Sequence, residues 1–155
     1  MRANHLTVGI AAIATISCGS IAQAEPFAIA CTGTAQFTDK IGDQRSVRNY
    51  PLPKQTYVFH EQAKRAQKAL EPRQQFEDVC FRGGYIDSVT FTPGLIVVHS
   101  EKPNEICDFK VDRKTGEGEY FSRADFAADR YSEIEFKMNC SRAEIPVFDS
   151  NKNKF

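Results

Sequence analysis

The sequence predicts a mainly β protein: one antiparallel sheet, curled or closed into a small barrel-like sandwich of about seven to nine strands. One short peripheral helix and two disulfides complete the expectation. Three observations carry it. Strand-sized β-branched and aromatic runs between Val79 and Phe121 are separated by turn chemistry, which fits a meander rather than βαβ units. Glu133–Cys140 alternates apolar and polar residues with period two. An even set of cysteines follows an export leader.

The leader comes first in the chain. Arg2 supplies a basic start, Leu6–Ile16 an apolar core, and Ala22-Gln23-Ala24 the small residues of an A-x-A cleavage pattern, so cleavage is expected after Ala24. The apolar run is too short to span a membrane, and Glu25-Pro26 follows it directly. Acylation at Cys18 is the alternative, but Thr15-Ile16-Ser17 lacks the Leu and the Gly or Ala of a lipobox. Removing 24 of 155 residues leaves 131, the size of one domain. The division is a leader over 1–24, a β-rich domain over 25–148 and a polar tail over 149–155. Arg2 is the only charge lost, so 19 basic residues face 20 acidic ones. That balance predicts neither nucleic-acid nor anionic-membrane binding.

Cys31, Cys80, Cys107 and Cys140 remain after cleavage. No two are close enough for a zinc-ligand pair or a C-x-x-C redox motif, so structural disulfides in an oxidising compartment are expected. Four cysteines allow three connectivities. Strand phase favours Cys31–Cys140, tying the first strand to the last, with Cys80–Cys107 clipping the meander. The longer loop would remove roughly 4–5 kcal/mol of unfolded-state entropy in the chain-entropy account.

In order, Phe27–Thr32 reads as a strand with Phe27, Ile29 and Cys31 inward, and Gly33 marks a bulge or a close backbone approach. Thr34–Thr38 continues it, and residues 39–43 turn. Residues 44–55, with Pro51 and Pro53, read as an extended loop. Gln55–His60 is strand-like. Glu61–Leu70 is rich in Ala, Lys, Arg and Gln and predicts the peripheral helix, ended by Pro72. Its basic residues lack interleaved aromatics and read as a solvated face. Arg82-Gly83-Gly84 is a turn into Tyr85–Phe91; Leu95–Ser100 and Cys107–Val111 are further strands, and residues 114–118 turn into Glu119–Phe121. Ser122-Arg123-Ala124-Asp125 resembles a capping box and predicts a helical turn over Phe126–Ala128. Residues 143–148 are expected to form an edge strand.

No catalytic, cofactor-binding or metal-binding signature is present. His99-Ser100-Glu101 invites a hydrolase reading, but neighbouring strand residues point to opposite faces. No G-x-S-x-G or H-E-x-x-H motif supports it. Asp108 and Asp112 lie roughly 13 Å apart along a strand, too far for a glycosidase pair. Asp108, Asp112 and Gly116 also miss the calcium-loop spacing. Cys31-Thr32-Gly33-Thr34 behind the leader, an internal Cys, and Asp112-Arg113-Lys114-Thr115-Gly116 resemble a loose group of small exported proteins of Gram-negative bacteria. The resemblance spans about half of the mature chain. It implies a periplasmic, β-rich protein without assigned activity, and a hairpin shorter than the segment at Glu61–Leu70.

The functional expectation is an exported, non-enzymatic module that binds a protein or a small envelope ligand, in one form as an inhibitor. Tyr50, Leu52, Arg82 and Tyr85 are the expected contacts. The alternatives are a small hydrolase using His99 with Glu101 or Asp87, and a structural envelope component.

Overall fold

The computed structural model describes residues 24–80 and 88–148. The expected leader and tail, the turn carrying Arg82, and the start of the strand from Tyr85 lie outside the described residues. Nine strands form one sheet: β1 (Phe27–Ile41), β2 (Gln44–His60), β3 (Arg65–Leu70), β4 (Gln75–Asp78), β5 (Ser88–Phe91), β6 (Leu95–Lys102), β7 (Glu105–Asp112), β8 (Glu117–Ala127) and β9 (Arg130–Ala143). Their order across the sheet is β4-β3-β2-β1-β9-β8-β7-β6-β5, with every pairing antiparallel. The last strand returns beside the first, and the sheet curls into a half-barrel.

The curl brings the concave face of β2 against that of β7. Tyr57 and Phe59 meet Phe109 with ring centroids 4.8 and 6.1 Å away, and Phe59 reaches Phe91 of β5 at 6.1 Å. Ile96, Val98, Val111 and Met138 complete a core in which Phe59, Phe109 and Val98 are fully buried. The Tyr57 hydroxyl donates to Met138 Sδ at 3.8 Å, and burial, with Tyr120 beside it, pushes the phenol well above its ordinary value.

Both disulfides pair as strand phase favours. Cys31 and Cys140 are direct cross-strand partners on β1 and β9, with Cα atoms 4.0 Å apart. Cys80, just after β4, joins Cys107 on β7, so this bridge crosses the concave face between strands far apart in the sheet. Two disulfides place the stable form of the chain in an oxidising, non-cytoplasmic setting. Among the described residues no helix is long and apolar enough to cross a membrane.

Four local expectations are overturned. The helix over residues 61–70 is not formed: Glu61–Lys64 is a turn, with Lys64 at φ 47° donating its N–H to the Glu61 carbonyl at 3.2 Å. Arg65–Leu70 then runs as β3, paired to β2 and β4. Ala66, Gln67 and Ala69 are buried there, so consecutive residues are covered on both faces. Helix propensity differences of less than about 1 kcal/mol per residue yield to a ladder that satisfies the outer edge of Tyr57–His60. Among the described residues helical geometry is confined to a single 3₁₀ turn at Glu71–Arg73.

Residues 44–55 are strand, not loop. N-terminal to Tyr57 the far side of β2 has no ladder partner among the described residues, and an edge of that kind tolerates Pro51 and Pro53. Phe126 and Ala127 end β8 instead of starting a helical turn, because β8 pairs with β9 as far as Ala127↔Arg130. Residues 144–148 form no strand. They pass over the outer face, where Phe148 packs on Phe76 of β4 at 4.8 Å.

Gly33 answers its expectation. Between Cys31↔Gln55 and Gly33↔Leu52 the register shifts, so Thr32 opposes both Pro53 and Lys54. The extra residue lets Leu52 and Tyr50 share the concave face with Tyr57 and Phe59 despite their opposite parity. A Cβ on Gly33 would collide with the Lys137 carbonyl oxygen of β9. Gly33→Ala is therefore expected to cost about 2 kcal/mol or more in denaturant unfolding. Gly94→Ala, whose Cβ would meet nothing nearer than Lys114 Cε at 3.9 Å, should stay within about 0.5 kcal/mol of wild type.

Candidate functional site

One end of the half-barrel is left open. There β1 begins with Phe27 and Ile29, and β9 ends with Cys140 and Arg142, in the register Cys31↔Cys140 and Ile29↔Arg142. Ile96 of β6 and Val111 of β7, themselves cross-strand partners, face them from the other side of the curl. The space between is a cavity of about 330 Å³ whose wall also includes Asp112, Arg113 and Gly116. Its floor is continuous with the core, since Ile96 and Val111 belong to both.

The turn from β7 to β8 shapes the rim. Asp112 Oδ1 accepts the backbone N–H groups of Lys114 at 2.7 Å and Thr115 at 3.0 Å, and the Asp112 carbonyl accepts the Gly116 N–H at 2.9 Å. Gly116 sits at φ 78°, and its carbonyl accepts the Cys140 N–H at 2.7 Å. A side chain on Gly116 would strike the Cys140 carbonyl oxygen, so glycine is required both for the turn and for the approach to β9.

Arg113 straps this rim. Its N–H donates to the Gly94 carbonyl at 2.9 Å, and Nη1 donates to the Thr92 carbonyl at 3.0 Å. The same nitrogen lies 2.8 Å from Glu61 Oε1 in the β2–β3 turn, and the guanidinium covers the Phe27 ring at 5.1 Å. Three turns from distant parts of the chain are thereby joined. Arg113 and Glu61 cancel in charge, and Asp112 is solvated by its own turn. Arg142 differs: it extends the concave row Ile134, Phe136, Met138, Cys140, is exposed, and its side chain forms no ion pair or hydrogen bond among the described residues. The mouth is thus an apolar cavity with one uncommitted guanidinium on its lip.

The sequence-predicted contacts fall elsewhere. Tyr50 is exposed on β2 with its ring edge-on to Phe37 at 5.7 Å. Leu52, 8% exposed, is packed into the core and offers little surface to a partner. Neither lines the mouth, and Arg82 and Tyr85 lie outside the described residues. His99 is on the outer face, with Nδ1 2.7 Å from Asp108 Oδ1 across the ladder and Nε2 3.7 Å from Glu101 Oε2. Ser100 is buried on the concave face beside Cys107, which separates it from the imidazole. Asp87 is outside the described residues. Among the described residues no group of three or more His, Cys, Asp or Glu is placed to hold a metal ion.

Sequence reading missed Phe27, Ile29, Ile96, Val111, Arg113 and Arg142 as one site. A signal did exist for Arg142: the inward alternation of β9 runs one step beyond Cys140 and ends on a cation. The other members come together only through the curl.

The rim has a titratable support. The Thr115 and Lys114 N–H groups hold the Asp112 carboxyl below its ordinary value of 3.8. Because the folded value is depressed, the turn's stabilisation is present above pH 3.8 and fades as pH falls through the lower folded value. NMR titration of the Asp112 carboxyl carbon should give a midpoint below 3.8. The stability gap between wild type and Asp112→Ala should narrow between about pH 5 and 2. No family model matches the chain, and the searches for similar characterised proteins and solved structures found none.

Proposed function

We propose that the protein is an exported, non-enzymatic binding module that holds a small ligand in the open mouth of its curled sheet. The leader is removed after Ala24, and the protein works in the periplasm or beyond it, where its two disulfides persist. The observation that carries this reading is the cavity of about 330 Å³, at the small end of the ligand-site range. Apolar walls from four strands and a few convergent polar groups are the usual composition of such sites. The Arg113 strap keeps the rim preformed, which lowers the ordering cost of binding. Native mass spectrometry of the protein gently purified from its own host is expected to show a retained small mass. Ile29→Trp, which fills the cavity from its half-buried wall, should abolish that mass while shifting the thermal midpoint by less than about 5 °C. A bare chain in both proteins would remove the support for this reading.

A hydrolase is the second reading, favoured by one arrangement. Ser88, His99 and Asp108 are direct cross-strand neighbours on β5, β6 and β7, and the His99–Asp108 contact is 2.7 Å. The trio lies on a sheet face that no other described residues cover, which is poor ground for acyl transfer. His99→Ala is expected to leave p-nitrophenyl acetate turnover at the background rate of the wild-type protein, at a stability cost of about 0.5 kcal/mol. A hundredfold loss of a measurable turnover would reverse the order of the two readings.

A further inference from the structure

Resting on the binding reading, we infer that the ligand of the mouth is a small single-chain amphiphile with a carboxylate head, its alkyl body against the half-buried Phe27 and Ile29 and its head on Arg142. Charge complementarity selects the head. The acidic groups of the wall and strap are committed: Asp112 to the N–H groups of its own turn, and Glu61 to Arg113. Arg142 is left as the exposed cation, in register with Ile29 and so directly above the apolar wall. A planar guanidinium offers two parallel N–H donors to a planar carboxylate, a geometry that a neutral hydroxyl cannot satisfy. The apolar floor selects the body. A wholly polar anion would bring no apolar surface to the half-buried Phe27 and Ile29, whereas an alkyl chain is itself removed from water against them.

The size of the cavity favours one short chain. At about 330 Å³ it belongs with small-molecule sites, and its walls come from one curled sheet. Arg113 contributes as a positioning residue. Its guanidinium already spans Thr92, Glu61 and the Phe27 ring, so it holds the lip at fixed width and leaves the anion to Arg142.

Isothermal titration of the full exported chain with octanoate and with octanol tests the inference. Octanoate is expected to bind at least about tenfold more tightly than octanol, the increment of one charge-assisted hydrogen-bonded pair. Arg142→Gln should bring the two ligands within about twofold of each other, and Arg142→Lys should fall between, keeping charge without the fork. Arg142 is exposed, so these variants are expected to fold as wild type does. Equal binding of octanoate and octanol, with no effect of Arg142→Gln, would overturn the carboxylate head while leaving the pocket reading intact. Octanoate binding that survives Ile29→Trp would place the anion on the surface and overturn the inference. Binding of neither probe to wild type would overturn the alkyl body; a small polar mass retained natively by the same protein would then show that the binding reading itself survives.

Discussion

The contact between β2 and β7 across the concave face is the interaction on which the rest of the molecule depends. A nine-stranded open sheet exposes one apolar face unless it packs on something, and here it packs on itself. Tyr57 and Phe59 on one limb and Phe109 on the other supply the large rings that meet in the middle. The Cys80–Cys107 bridge holds the same two limbs together, closing a loop of 27 residues worth roughly 3–4 kcal/mol in the chain-entropy account. Cys31–Cys140 acts differently, locking the first and last strands side by side at the centre of the sheet.

Curling imposes demands on the backbone that particular residues meet. The β2 bulge opposite Thr32 re-phases that strand so that Leu52 and Tyr50 face inward along with Tyr57. Gly33 and Gly116 let neighbouring chains approach closer than a side chain would permit. On the outer side, where the sheet stays wet, Arg123 bridges Asp125 and Glu133 at 2.8 and 3.2 Å, and at the far end of β1 and β2 the exposed Arg48 meets Asp39 at 2.6 Å. Those exposed pairs add little to stability each, and the concave core carries the fold.

The open mouth is the remainder of that geometry. At the edge of the ring cluster Phe27 and Ile29 pack against the core and stay half-buried, and with Ile96 and Val111 beneath them they line a cavity. Arg113 closes its side by reaching into two other turns, and Arg142 ends its row in solvent. A ligand there would complete the apolar contact that the protein leaves unfinished, and the exposed guanidinium decides which end of it faces out.

Residue order by itself determined the class of fold and the even cysteine framework, and favoured the pairing that the structure shows. These rest on period-two patterning, most clearly at Ile134-Glu135-Phe136-Lys137-Met138, and that periodicity is a local property of a strand. The same logic failed at Glu61–Leu70, where helix-forming residues were drafted into a strand. A ladder partner on each side and burial on both faces outweigh propensity, and neither is visible in ten residues read alone. It failed again at residues 44–55, because prolines mark a loop until the free edge of β2 is known. Tertiary structure alone decided the mouth. Its members are up to 115 residues apart, from Phe27 to Arg142, and the curl that gathers them is set by ring-to-ring contact across the sheet, not by any neighbouring sequence.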